Sequence, residues 1–141
     1  MKRELKITDA QLPKLTDDER DKMIPILIRL LKAKSSSDRP IKADTIMKWF
    51  NENKHKTQMT KAVCPANLRK AINYIRTTGI APVMSGSNGY YITDDPKEIY
   101  KIAISLEQRA ESINAAAKGL RDLAQELQAS AKKKDDLWDM L

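Results

Sequence analysis

Cysteine, glycine and aromatic side chains are scarce in this chain of 141 residues, and each scarcity removes a class of answer. Cys64 is the only cysteine and His55 the only histidine. No internal disulfide can form, and the usual structural zinc site lacks its ligands. No metal or other cofactor is expected. With 4 Gly and 6 Pro, helices are favoured over a turn-rich β architecture. The longest apolar stretch, near residues 23–28, is far too short to cross a bilayer, and the first eight residues lack the apolar core of a signal peptide. The expectation is a soluble, cytoplasmic protein without a membrane partner. A glycine-rich phosphate loop, paired histidines with an acidic helper and a nucleophile constellation are all missing from the sequence. Enzymatic activity is therefore not expected.

The chain is rich instead in charge and periodicity. Hydrophobic residues make up 41% and charged residues 32%, with a net charge of +7. The excess is local: residues 40–93 carry 8 Lys/Arg against 2 Asp/Glu, whereas residues 94–141 carry 8 against 10. A basic middle third points to a polyanionic partner there.

Residues 1–15 are polar, without sustained period, and read as a flexible arm. Thr16 followed by Asp17, Asp18 and Glu19 is a capping box, which opens a helix with acids in its first turn. Ile24, Leu27, Ile28 and Leu31 come next as its apolar stripe, and Pro25 within that pattern shifts the helix start or kinks it. Residues 35–40 are a loop by composition. Ile41, Ile46, Met47, Trp49 and Phe50 supply a second apolar cluster, with a short helix over 43–51 and a polar turn over 52–58.

A third helix is predicted over 65–78, with Pro65 at its first position and Gly79 as its stop. Leu68, Ala71, Ile72 and Ile75 form its buried stripe. The opposite side then presents Lys70, Asn73 and Thr77, with Arg69 and Arg76 on one flank and Asn67 and Tyr74 on the other. Two β-prone runs, 80–85 and 90–93, separated by Gly86-Ser87-Asn88-Gly89, read as a β-hairpin. Pro82 confines its strand to a sheet edge. Cys64 is a buried or cap-adjacent thiol, His55 a solvated side chain, and Met47, Met59 and Met84 core filler.

From Pro96 the character of the chain changes. Ala103, Ala110, Ala117, Ala124 and Ala131 recur every seven residues. Leu106, Ile113, Leu120 and Leu127 stand three places later, and Ile99 extends their row backwards. That is an a/d heptad on one long helix over 94–133. At about 1.5 Å per residue it spans roughly 50 Å, against roughly 30 Å for a body of about 80 residues. Most of the helix projects, and its apolar stripe needs a cover. The simplest is the same helix from another copy, as a homodimer or higher homo-oligomer; the competing possibility is a tail folded back on the N-terminal arm. The heptad stops at Lys134, and residues 134–141 form an acidic and apolar tail. There Leu137, Trp138, Met140 and Leu141 read either as a motif that docks in a partner's groove or as a last turn packed on a neighbouring subunit.

Several of these motifs together carry a resemblance. Leu68-Arg69-x-x-Ile72-Asn73-Tyr74-Ile75-Arg76, Pro82-Val83-Met84-Ser85, Gly89-Tyr90-Tyr91-Ile92 and the later Ser105-Leu106-Glu107-Gln108-Arg109-Ala110 resemble small winged-helix proteins of bacteriophages and prophages. The resemblance implies a mainly α fold: a winged helix-turn-helix domain with a β-hairpin wing over 16–93, followed by the long C-terminal helix. In winged-helix folds the third helix enters the major groove and the wing touches the minor groove or backbone. Carried over, that implies Asn67, Arg69, Lys70, Asn73 and Arg76 on the helix and Ser85, Ser87 and Asn88 on the wing as contacts to double-stranded DNA. Thr77 and Lys61 complete the candidate set. The implied function is a DNA-binding regulator of transcription or a replication factor in a bacterial host cell. The alternative class is a non-enzymatic interaction module that captures a host or phage protein through the long helix or the tail.

Overall fold

A computed structural model describes residues 8–140. Residues 1–7 of the expected arm and Leu141 of the expected tail motif lie outside the described residues. The protein is mainly helical, with one small antiparallel sheet and a long C-terminal helix. It divides into two compact units, Met1–Ile99 and Tyr100–Leu141.

In the first unit, a 3-10 turn over Asp9–Gln11 precedes the capping box. The box forms as the sequence implies: the Thr16 N–H donates to Glu19 Oε1 at 3.0 Å and the Glu19 N–H to Thr16 Oγ1 at 3.2 Å. A π-turn, Glu19–Met23, then runs into helix α1, Ile24–Lys34. Pro25 is the cause. It has no N–H for the carbonyl four residues back, so the ladder widens locally and the Ile24 N–H bonds to the Glu19 carbonyl. The extra residue per turn rotates the apolar stripe. Met23 is fully buried along with Ile24, Leu27 and Leu31, while Ile28, expected in the stripe, is half-buried.

Helix α2, Ala43–Glu52, buries Ile46 and Phe50, and its Trp49 ring meets Phe50 edge-on at 5.3 Å. The expected polar turn contains a further single helical turn, α3, Lys54–Thr57, ended by Gln58 in the left-handed conformation. Helix α4, Pro65–Thr78, has the predicted bounds and buries Leu68, Ala71, Ile72 and Ile75. Strands β1, Val83–Gly86, and β2, Gly89–Ile92, pair antiparallel with Val83 opposite Ile92 and Gly86 opposite Gly89. Ile41 adds a single antiparallel bridge to β2: its N–H donates to the Tyr90 carbonyl and the Tyr90 N–H to the Ile41 carbonyl, both at 2.8 Å. Gly89, at φ 128, permits that approach, because a Cβ there would sit 2.3 Å from the Ile41 carbonyl oxygen. One core joins α1, α2, α4 and β1.

Helix α5, Pro96–Asp139, contains no buried residue. It runs through Lys134 to Asp139, past the predicted end of the long helix, because neither proline nor glycine interrupts the backbone where the heptad lapses. No helix among the described residues is long and apolar enough to cross a membrane.

Candidate nucleic-acid interface

Helix α4 is held from both ends and from beneath. Pro65 takes its first turn and Gly79, at φ 67, closes it in the left-handed conformation. At the N-cap, Asn67 Oδ1 accepts from the Cys64 N–H at 3.3 Å and from its thiol at 2.6 Å. Cys64 itself is exposed. The segment leading into the helix is tied down by groups distant in sequence. Asn51 clamps Val63 as a backbone strand would, accepting from its N–H at 2.8 Å and donating to its carbonyl at 3.2 Å. The Asp18 carboxylate accepts from the Thr60 hydroxyl at 3.1 Å and lies 2.9 Å from the Lys22 ammonium. Lys22 and the Thr60 groups hold the Asp18 carboxyl below its ordinary pKa.

Glu19 joins the start of the first helix to α4. It is a buried carboxylate, with Oε1 accepting from the Thr16 N–H and Oε2 accepting from Asn67 Nδ2 at 3.1 Å. The Lys70 ammonium stands 3.9 Å from Oε1. Burial alone would raise its pKa; the hydrogen bonds from Thr16 and Asn67 and the Lys70 charge outweigh that and hold it below the ordinary value. It is therefore a satisfied buried anion. No buried side-chain nitrogen or oxygen among the described residues lacks a hydrogen-bond partner.

The outward face of α4 carries Arg69, Lys70 and Asn73, all exposed, with Thr77 half-buried and its hydroxyl 3.5 Å from Asn73 Oδ1. Lys61 is exposed on the rim of a cleft of about 440 Å³ that Lys70 and Asn67 also line, with Thr16 to Glu19 opposite. Ser87 and Asn88 are exposed at the tip of the hairpin. Two helix residues that the resemblance puts among the DNA contacts, Asn67 and Arg76, and one wing residue, Ser85, are instead engaged inside the fold. Asn67 spends its amide on Cys64 and Glu19. Arg76 Nε donates to the Val83 carbonyl at 2.8 Å and its guanidinium to Ser85 Oγ at 2.9 Å, which fastens the hairpin to α4 and occupies Ser85. Their flank positions on the helix put both within reach of neighbouring elements, so the fold's own polar groups capture them.

Along α5, Ala103 and Leu106 are half-buried, and every residue from Glu107 to Met140 is exposed. The apolar members stand well out, with Ile113 at 68%, Leu120 at 69%, Leu127 at 62% and Trp138 at 75% of full exposure. Sequence reasoning does not reach Asn51, whose pairing partner is fixed only by the turn through α3. Glu19 is legible as a capping acid, but its bond to Asn67 is not.

The described residues hold no cluster of three or more His, Cys, Asp or Glu side chains able to take a metal ion. Comparison with family models, with curated proteins and with solved structures gives no match.

Proposed function

We propose that residues 16–93 are a winged-helix head that binds double-stranded DNA, and that the chain works as an oligomer joined through α5, as a regulator of transcription or a replication-associated factor. The observation that carries this reading is the division of labour on α4. Its inner stripe is buried, its first turn is tied to Glu19 through Asn67, and the segment leading into it is held at Val63 by Asn51. Its outer ridge of Arg69, Lys70 and Asn73 is exposed, with the Lys70 ammonium 3.9 Å from Glu19 at its base. A rigid helix with an exposed ridge of this chemistry suits a groove: Asn pairs bidentately with adenine, Arg with guanine, and Lys meets phosphate. The hairpin, locked beside α4 by Arg76, brings Ser87 and Asn88 as uncharged backbone contacts. Asn67, Arg76 and Ser85 act as positioning residues.

A salt titration of duplex DNA binding by the full chain tests the reading. Affinity falls linearly on a log–log plot because phosphate contacts release counterions. Arg69→Ala and Lys70→Ala each lower affinity, and a phosphate contact at either reduces the slope by about 1. A chain with no duplex affinity at low salt refutes the reading. It then favours the interaction module, which the exposure of Leu137, Trp138 and Met140 at the helix end independently supports.

A further inference from the structure

From Ala110 onward the stripe on α5 is an exposed apolar face whose chemistry specifies its cover; its first two members, Ala103 and Leu106, are half-buried. In heptad terms Ala103, Ala110, Ala117 and Ala124 are a positions and Leu106, Ile113, Leu120 and Leu127 are d positions. Large and small residues therefore alternate along one seam. If two copies ran parallel, like would meet like. Alanine layers too thin to fill would alternate with layers of paired leucine or isoleucine, and the helix spacing cannot suit both. If they ran antiparallel, every layer would join an a residue to a d residue, one small and one large, at uniform spacing.

From this we infer that α5 pairs with α5 of a second copy in antiparallel orientation, centred on residue 115. In that register Ala103 meets Leu127 of the other copy, Leu106 meets Ala124, Ala110 meets Leu120 and Ile113 meets Ala117. All eight seam positions find a partner of complementary size. The flanking charges agree. Glu107 lies beside Arg121 of the other copy on one edge, and Arg109 lies beside Leu123 on the other, where its aliphatic stem covers a leucine that stands 49% exposed in the single chain. Small or uncharged residues, Ala116 and Asn114, face their own copies at the two-fold axis. Sliding the pair by one heptad either way strands end positions and puts Glu107 beside Asn114 or Gln128. A parallel pair offers no attraction: Arg109 would face Asn114, and Arg121 would face Ala116. The antiparallel register sets the two Pro96 helix starts about 57 Å apart along the pair.

This inference rests on the self-association part of the reading above and is independent of DNA binding. The test uses the full chain carrying Cys64→Ser, since Cys64 is exposed and serine is a favoured N-cap. Single cysteines are added as Ala116→Cys, Ala103→Cys or Leu127→Cys. Light scattering is expected to give the mass of two copies, and mild oxidation to couple Ala116→Cys to itself. Ala103→Cys alone does not couple, but a mixture of Ala103→Cys with Leu127→Cys does, about tenfold or more faster than either alone, because coupling within the pair is intramolecular. Self-coupling of Ala103→Cys at the rate of Ala116→Cys overturns the orientation. A two-copy mass with no coupling of Ala116→Cys overturns the register. A single-copy mass removes association itself and leaves the DNA reading standing.

Discussion

Replacing Glu19 isolates the contact that holds α4 in place. In Glu19→Gln the side chain keeps its size and one acceptor oxygen, but its new NH2 group faces donors: the Thr16 N–H or Asn67 Nδ2, with the Lys70 ammonium nearby. Hydrogen bonds to a charged group contribute about 1.5–3 kcal/mol each and neutral ones about half that, so the glutamine costs about 1–2 kcal/mol. Glu19→Ala leaves Asn67 and the capping turn without their acceptor and costs about 3 kcal/mol. Against a total of about 5–15 kcal/mol these are large fractions. Urea unfolding followed by the near-ultraviolet signal of the Trp49–Phe50 pair reads the first unit. The sign with pH follows from the depressed pKa. Stabilisation from the ionised Glu19 is fully present above its ordinary value of 4.5 and is lost as pH falls through the lower folded value. The gap between the natural chain and Glu19→Gln is therefore widest at neutral pH and closes in acid. Equal midpoints at neutral pH, or a gap that persists undiminished in acid, refute the assignment of Glu19 as an ionised tie.

Gly89→Ala forces a Cβ to within 2.3 Å of the Ile41 carbonyl oxygen at a φ of 128. It is expected to break the Ile41–Tyr90 bridge and cost about 2–4 kcal/mol, seen as a lowered thermal midpoint; an unchanged midpoint counts against the bridge. Arg76→Ala removes both bonds to β1. It costs about 2–3 kcal/mol and speeds amide exchange in Val83–Gly86, and unchanged exchange there contradicts its role as a fastener. Leu120→Asp places a charge in the α5 seam, where burying it unpaired is prohibitive. Light scattering is expected to show single copies, and an unchanged mass argues against the seam.

Elements whose causes are local are legible from the chain alone. Pro65 and Gly79 bound α4 to the residue, Thr16 and Glu19 form the box they spell, and Gly86 to Gly89 make the hairpin turn. The alternation of alanine with leucine or isoleucine along α5 is likewise written in the chain. Features that depend on partners far away in sequence emerge only once the chain is folded. The polar atoms of Asn67 and Arg76 go to Glu19 and to β1 and not to solvent. Asn51 clamps Val63, Ile41 joins β2, and Met23 enters the core once Pro25 has widened the turn before it. One cause is common to all of these. Periodicity says which side of a helix is wet, but a polar side chain on the border between wet and dry bonds to whatever the packing brings within about 3 Å, and only the assembled fold fixes that neighbour.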